Sequence, residues 1–198
     1  MIRPVLLAAA AFATLAVPAA AQQQSEGYKF LQAVRDAKND DVIAMVEKPG
    51  SRIVDTRDVS NGDGAVHIVA KRGDLPYLNY LLQHGADPNL RDAAGNSPLL
   101  IAVSYGQVGL IPLLLAARAN PNLGNVAGET PLIRAVQRRD LATARVLVNG
   151  GANPDQPDRV AGLSARDYAR RDTRSPAMVK LFDEVKIKPK AAVAGPRL

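Results

Sequence analysis

A phrase that recurs at a fixed spacing constrains this chain more than any other feature of its sequence. The stretch GNSPLLIAVSYG (95–106) recurs in altered form as GETPLIRAVQRR (128–139), and a weaker copy, GDGAVHIVAKRG, lies at 62–73. A second phrase keeps the same spacing and is marked by three equally spaced alanines: Ala86, Ala119 and Ala152. Two phrases that keep one period over three copies indicate a solenoid of repeated supersecondary units.

Each copy has the pattern of two short helices joined by turns. Ser97 and Thr130 carry hydroxyl groups that accept hydrogen bonds from the free N–H groups of a helix start. Pro98 and Pro131 follow at the first helical position, where no N–H is needed. Gly106 suits the left-handed conformation that ends a helix. Because helices this short are marginal alone in water, the sequence predicts that successive pairs stack on one another.

The repeated phrase resembles the T-P-L-H-x-A signature of the ankyrin repeat family. The repeat unit of that family is as long as the spacing from Ala86 to Ala119. The resemblance covers roughly residues 26–185. It implies an all-α ankyrin-repeat solenoid of stacked helix-turn-helix pairs, with β-turn fingers that project between the pairs. The expected units are 26–58 (a degenerate N-terminal cap), 59–91, 92–124, 125–157 and 158–185 (a C-terminal cap).

The two terminal units depart from the repeated phrase. Residues 26–47 predict a helix pair that lacks it. The last copy starts at 162–172, one residue late, because of an insertion near Pro157. There Arg166 and Asp167 replace the buried Leu and the His, as we expect at a solvent-facing end.

The second helix of unit 92–124 is expected to be irregular. Arg118 stands where Gly85 and Gly151 stand in other copies, at a left-handed position that costs a non-Gly residue about 1 kcal/mol. Pro112 falls within the expected helix at 108–115. We expect this helix either to kink at Pro112 or to start late, with Pro112 in its first turn.

Residues 1–21 have the pattern of a cleavable secretory signal. Arg3 gives a positive start, 5–17 an apolar core, and small residues at 19–21 a cleavage site after Ala21. A membrane anchor is the alternative, which the short, Ala-rich apolar run disfavours. The absence of Cys excludes a lipid-anchored lipoprotein. The pattern is bacterial in type and predicts the periplasm, with secretion as the alternative.

The residue types favour a protein without catalysis, metal or cofactor. No Cys is present, which excludes disulfides, thiolate metal sites and a cysteine nucleophile. His67 occupies the family's His position, where the resemblance implies hydrogen bonds within or between repeats, and His84 ends a second helix. A metal-binding or catalytic histidine is the alternative. No spacing requires a nucleophile, base and orienting group to meet, and no phosphate-cradling glycine motif is present.

The repeat register predicts an interaction surface. In ankyrin-like proteins the fingers project and the first helix of each pair lines a concave groove. Folding the chain at the repeat period aligns cations and one tyrosine at the ends of the first helices, a composition enriched at interface cores. The alternative is that helix ends favour Lys and Arg beside the negative end of the dipole. The predicted partner-binding residues are Asn61, Asp63, Lys71, Arg72, Asn96, Ser104, Tyr105, Glu129, Gln137, Arg138 and Arg171.

These observations predict one ankyrin repeat domain at 22–185, followed by a flexible basic tail at 186–198. The expected function is that of a monomeric scaffold for a protein partner with an acidic patch. The alternative is a binder of polyanionic envelope or nucleic-acid ligands, suggested by the net charge of +6. The 19 interspersed acidic residues and the few aromatic residues disfavour that alternative. A hydrolase that uses His67 or His84 is a third class.

Overall fold

The structure is a computed structural model that describes residues 19–185, with side chains from residue 26 onward. Within that part of the chain ten α-helices and one short 3-10 helix, Ile53–Asp55, follow one another without a strand, so the predicted all-α solenoid is confirmed. The α-helices are α1 Ala19–Arg35, α2 Asn39–Val46, α3 Ala65–Arg72, α4 Leu75–Gln83, α5 Pro98–Ser104, α6 Leu110–Ala116, α7 Pro131–Gln137, α8 Leu141–Asn149, α9 Ala165–Arg171 and α10 Pro176–Glu184.

The helices form two layers. The first helices of the pairs pack side by side in the order α1, α3, α5, α7 and α9. The second helices α4, α6, α8 and α10 form the other layer, and each first helix also contacts its own second helix. Every helix from α3 to α10 therefore packs against a neighbouring pair as well as its own partner. This stacking supplies the stability that helices of seven to nine residues lack in isolation.

The helix starts follow the local chemistry that the sequence predicts. Ser97 Oγ and Thr130 Oγ1 each accept a hydrogen bond from the backbone N–H three residues later, at 3.2 Å. Asp74 and Asp140 cap the second helices α4 and α8 in the same way, at 3.1 and 2.9 Å. Replacing such a cap by Ala typically costs about 1 kcal/mol.

A continuous apolar core runs between the two layers. Leu99 and Leu132 occupy equivalent positions in α5 and α7 and are fully buried. Burial of one such leucine stabilises the fold by roughly 1.5–3 kcal/mol. The alanines that mark the second repeated phrase belong to the same core: Ala86, Ala119 and Ala152.

Four turns project before the first helices, and we call them the fingers. Each is closed by a backbone hydrogen bond between its first N–H and its last C=O, at 2.8–3.1 Å. The fingers are also joined to one another: Ala93 N donates to Asn61 O at 2.9 Å, and Val126 N donates to Ala94 O at 3.0 Å. The four fingers comprise residues 58–63, 92–96, 125–129 and 158–163.

Asparagines join the turns that follow the second helices. Asn89 Oδ1 accepts a hydrogen bond from Asn120 N, and Asn122 Oδ1 accepts one from Asn153 N, both at 2.7 Å. The carboxylate of Asp55 accepts the corresponding bond one unit earlier, from Asp87 N. These bonds explain why the repeated phrase contains a polar residue of this size. Each side chain satisfies a backbone donor of the next unit.

The irregular second helix starts late, which was one of the two expected outcomes. α6 begins at Leu110 and has seven residues, whereas α4 and α8 have nine. Pro112 is the third residue of α6, where a backbone N–H would have no partner inside the helix. Arg118 adopts the expected left-handed conformation, with φ of 66°.

The last unit differs from the solvent-facing end that we expected. The extra residue lies in the fourth finger, between Asp158 and Ser164. The Arg166 side chain is only 13% exposed. Its Nε donates to Asp155 at 2.6 Å, and its Nη1 donates to Phe182 O at 2.6 Å. The expectation for Arg166 is wrong because α10 covers this side of α9.

Candidate interaction surface

His67 is a structural residue that joins two units. Its ring is fully buried at the start of α3. Nδ1 accepts a hydrogen bond from Gly64 N at 3.0 Å, while Nε2 lies 3.0 Å from Leu90 O and 3.1 Å from Asn96 O. Two carbonyl acceptors require the proton on Nε2, so the ring is neutral. Burial lowers the pKa of His67 from its ordinary value of 6.5, against the opposing effect of these carbonyls.

His84 is exposed at the end of α4, as the sequence predicts. Its Nδ1 lies 2.9 Å from Tyr80 O, and its ring stacks on the Tyr80 ring with centroids 4.1 Å apart. Neither histidine joins a metal-ligating group: within the described residues no three His, Cys, Asp or Glu side chains are placed to hold an ion. The two histidines lie in different environments and share no site.

The predicted cations at the ends of the first helices make contacts within the fold. Lys71 Nζ donates to the Asp63 carboxylate at 2.6 Å. Arg72 Nη1 donates to Val34 O, at the end of the preceding first helix, at 2.8 Å. Arg138 Nη1 does the same to Ser104 O at 2.9 Å. Hydrogen bonds from cations to the last carbonyls of a helix are those that the helix-end alternative requires.

Three of the exposed residues that were predicted at these helix ends form no side-chain hydrogen bond within the described part of the chain. Tyr105 is 56% exposed. Gln137 and Arg171 are also exposed. Arg171 has no carboxylate within 4.0 Å among the described side chains, which include all 19 acidic residues of the chain. These three side chains are therefore available to a partner without breaking an ion pair.

Asp63 is placed differently from the sequence expectation. It is 5% exposed instead of projecting from the finger tip. Asn61 Nδ2 donates to its carboxylate at 2.9 Å, and Lys71 approaches it from α3. The Asp63 side chain points toward the fold, where its carboxylate pairs with Lys71 and so joins the first finger to α3. Asn61 itself is exposed.

The other two predicted finger residues are partly buried. Asn96 donates through its side chain and its backbone to the Asp92 carboxylate, both at 2.8 Å, and so closes the second finger. The Glu129 carboxylate is 14% exposed and forms an ion pair with Arg134 of α7. Both residues shape the fingers and present little of their own side chains to a partner.

The partner-binding residues predicted from the sequence do not include the apolar residues at the finger tips. Val59 is 84% exposed, Val126 is 63% exposed and Val160 is 81% exposed. Ala93 stands at the equivalent position of the second finger and is also exposed. The repeat register could have found these four residues, because their spacing matches the repeat period to within a single position. We call them the tip row.

The acidic residues that begin the first and last fingers hold the turns that carry this row. Hydrogen bonds from the Ser60 hydroxyl and backbone N–H, with further help from Arg35, lower the pKa of Asp58 to about 2. Burial raises the pKa of Asp158, but hydrogen bonds from Tyr168 and three backbone N–H groups outweigh it, so that its pKa is lowered. Both carboxylates are therefore charged in the folded protein at neutral pH.

Charge is unevenly distributed along the described side chains. Residues 26–185 contain 20 Lys and Arg and 19 Asp and Glu. Residues 26–104 contain 9 cations and 11 acids, whereas residues 105–185 contain 11 cations and 8 acids. The excess positive charge of the folded part therefore lies in its C-terminal half.

A two-layer stack of short helix pairs, with a projecting finger before each first helix of the repeated units, defines a repeat protein of the solenoid class. A family model described as ankyrin repeats (three copies) matches residues 19–125 and, in an overlapping placement, residues 66–158. The chain belongs to the ankyrin repeat family. A search of curated proteins found no match.

Membership of this family carries a general function. Ankyrin repeats mediate protein–protein interaction, and ankyrin repeat proteins are typically non-enzymatic scaffolds. Across residues 19–185, no helix has both the length and the apolar character that a membrane crossing demands.

Proposed function

We propose that this protein is a non-enzymatic scaffold of the bacterial periplasm, and that it holds a protein partner against the fingers and the groove lined by the first helices. The observation that carries the proposal is the tip row. Largely exposed valines lie at the tips of three of the four fingers, as the second finger residue at Val59 and Val126 and as the third at Val160. Exposed apolar groups arranged together mark interaction sites, whereas isolated ones need no explanation.

The rigidity of the fingers supports this role. Hydrogen bonds from Ala93 N, Val126 N and Arg159 N to the preceding finger tie the tips together. At the base, Arg91 Nη2 donates to Gly124 O, just before the next finger, at 2.8 Å. A partner would therefore meet a surface that is already ordered, and little conformational entropy would be lost on binding.

Tyr105 supplies the second part of the proposed surface. It ends α5, in the middle of the layer of first helices, and more than half of its surface is exposed. Tyrosine is enriched at interface centres because it buries a large apolar area and retains one hydroxyl for hydrogen bonding. Gln137 lies at the end of the neighbouring first helix α7, and Arg171 lies at the end of α9, the first helix after that.

The environments of the two histidines and the charge balance of the folded part favour a scaffold over an enzyme and over a polyanion binder. Both ring nitrogens of His67 form hydrogen bonds with backbone groups. The ring nitrogens of His84 lie near Tyr80 O of its own helix and near the Glu47 carboxylate. Buried His67 therefore cannot act as a base on a substrate, and the ring of exposed His84 has no Ser or Thr hydroxyl among its hydrogen-bond partners in residues 26–185. The near balance of 20 cations and 19 acids in residues 26–185 disfavours a polyanion-binding body.

The periplasmic part of the proposal rests on the sequence pattern of residues 1–21, of which 1–18 lie outside the described residues. The basic tail at 186–198 also lies outside them. We expect intact-mass measurement of the periplasmic fraction to give a chain that starts at Gln22. A full-length chain recovered from the cytoplasm would contradict export.

Photo-crosslinking in cells tests the scaffold. A photoreactive residue at Tyr105 or at Val126 is expected to capture one and the same protein. The matched control is Arg145, which is exposed on α8 in the other layer. Capture from position 145 with none from positions 105 and 126 would refute the proposed surface.

Direct binding to the purified captured protein then tests the tip row. Val126→Asp is expected to weaken binding by about tenfold, since it places a charge in an apolar contact. Val108→Asp makes the same change at an exposed valine between α5 and α6 and should leave the affinity nearly unchanged. Equal losses in both variants would mean that the tip row is not the contact.

A further inference from the structure

We propose that the C-terminal end of the layer of first helices binds an acidic segment of the partner, in a cavity bounded by Arg139, Arg171 and Arg174. We call this cavity the arginine cavity. The inference rests on the proposed function, because the acidic segment belongs to the protein partner. It assigns the expected acidic patch of the partner to a defined site on this chain.

The arginine cavity lies between the ends of α7 and α9 and has a volume of about 340 Å³. A water molecule occupies about 30 Å³, so the cavity has room for more than one acidic side chain. Three of its lining residues are arginines, and a single lining residue is acidic. The lining consists of Val136, Gln137, Arg139, Tyr168, Arg171, Asp172 and Arg174.

The carboxylate in the cavity does not neutralise it. Asp172 is shared by two arginines: Arg139 Nε lies 2.5 Å from one oxygen, and Arg174 Nε lies 3.2 Å from the other. Arg171 has no carboxylate within 4.0 Å among the described side chains. Three full positive charges and one negative charge thus leave the lining with an excess of two.

The tyrosine of the cavity does not compete for a ligand. Tyr168 donates its hydroxyl to Asp158 at 2.6 Å, and that hydrogen bond fixes the phenol toward the fourth finger. The guanidinium groups of Arg171 and Arg174 remain largely open to solvent: Arg171 is exposed, and the Arg174 side chain is 73% exposed. The groups in the cavity that remain free to bind a ligand are therefore mainly the N–H donors of the arginines and of Gln137.

The backbone places one of these arginines at a cost. Arg139 has φ of 56°, in the left-handed region, whereas the two preceding first helices use Gly73 and Gly106 at this turn. A non-Gly residue there costs about 1 kcal/mol. Ala37 makes the same left-handed turn after α1, with φ of 54°, so among these turns the arginine beside the cavity is distinguished by its charge.

An acidic peptide segment is the occupant that the charges favour. Guanidinium groups match carboxylates in a two-pronged geometry and stay charged at all relevant pH values. The C-terminal half of the described side chains has an excess of three positive charges, whereas the N-terminal half has an excess of two negative charges. The resulting field directs an acidic segment to this end of the protein and away from the other.

The test uses the full mature chain and a fluorescent decapeptide of alternating Glu and Ser, with a Gln-for-Glu peptide as the neutral probe. Fluorescence anisotropy is expected to show binding of the Glu peptide alone. Arg171→Gln with Arg174→Gln should weaken it by at least about tenfold, as expected for the loss of charge-assisted hydrogen bonds. Arg145→Gln with Lys180→Gln removes the same charge from exposed positions on α8 and α10 and should weaken it less than about threefold.

Nuclear magnetic resonance gives the location. The Nε–H signals of Arg139 and Arg171 are expected to shift with the Glu peptide and to stay fixed with the Gln peptide. Equal weakening in the two double variants would overturn the site, since a diffuse field would then explain the binding. Binding of a phosphorylated Ser peptide without binding of the Glu peptide would overturn the carboxylate class.

The crosslinking result separates this inference from the proposed function. If a protein is captured at Tyr105 while the Glu peptide leaves Arg139 and Arg171 unaffected, the scaffold stands and the arginine cavity fails. If the Glu peptide binds at the cavity while no protein is captured at Tyr105 or Val126, the cavity stands and the scaffold surface fails. Thermal unfolding of both double variants confirms that they remain folded.

Discussion

The first full unit and the last unit start their first helices with different polar residues at the same place. In the first, buried His67 accepts a hydrogen bond from Gly64 N and donates to carbonyls of the second finger and the loop before it. In the last, Asp167 accepts from Ser164 N at 3.0 Å and from the Ser164 hydroxyl. Both side chains close the helix start, but only the imidazole also reaches the next unit.

The difference teaches what each position requires. In the first full unit the imidazole donates to carbonyls of the next finger and of the loop before it. The two middle units carry buried Leu100 and Ile133 at this position, and hydroxyl groups cap their first helices instead. The last unit has no further finger to satisfy within the described residues, so a carboxylate that only accepts is sufficient. Hydrogen bonds from Ser164 accordingly lower the pKa of Asp167 and keep it charged.

The largest expected effect comes from removing the inter-unit donor. His67→Ala should lower the free energy of unfolding by roughly 3 kcal/mol, because it opens a cavity and leaves buried backbone groups unpaired. Asp167→Ala should cost only about 1 kcal/mol, the value of a helix cap. Urea denaturation of both variants measures the difference. Equal losses of unfolding free energy in the two variants would show that the bond of His67 to the next unit adds no stability.

Lowering the pH should destabilise the folded protein through His67 at a higher pH than through Asp167. The pKa of His67 is lowered in the folded state, so below pH 6.5 the unfolded chain binds a proton that the folded chain does not. Stability should therefore fall as the pH drops through 6.5, and this contribution should vanish in His67→Ala. Asp167, whose pKa is lowered from 3.8, should affect stability only near and below that pH. Urea midpoints between pH 7.5 and pH 5, measured on both proteins, test this window. A fall of equal size in His67→Ala would contradict the assignment.

A smaller effect is expected at the turns that end the first helices. Gly73→Ala should cost about 1–2 kcal/mol, since φ is 80° and a Cβ atom would collide with the Gln107 side chain. Arg139→Gly relieves strain but loses a partly exposed ion pair with Asp172, so the two effects should cancel to within about 0.5 kcal/mol. Thermal unfolding of both variants provides the measurement. A large loss in Arg139→Gly would show that the ion pair outweighs the strain.

The smallest effect concerns the two second helices. α6 starts late and has seven residues, whereas α8 has nine and an Asp140 cap. Amide hydrogen exchange should therefore be faster across 108–115 than across 141–148, because the shorter helix opens at lower cost. Equal protection of the two segments would show that tertiary packing removes the difference in local stability.

Local chemistry was predictable because it depends on neighbouring residues in the chain. Hydroxyl caps at Ser97 and Thr130 and the left-handed turn at Arg118 follow from residue types and spacing. The late start of α6 was one of the two outcomes that Pro112 allowed. The repeat period predicted the stacking of the helix pairs, since residues one period apart occupy equivalent environments. The tip row was predictable from the same register, although the sequence interpretation concentrated on charged residues.

Sequence alone determined the class of this protein, because periodicity and helix-end chemistry are properties of the chain. Tertiary structure decided which polar side chains are free. Asp63 turned out buried, Arg72 and Arg138 bond to the preceding helix, and Arg166 lies under α10. Whether a side chain meets a partner or its own fold depends on ångström-scale distances between units that are far apart in sequence. The arginine cavity has the same origin, since only the packing of α9 on α7 brings Arg139 to the side of the cavity that faces Arg171 and Arg174.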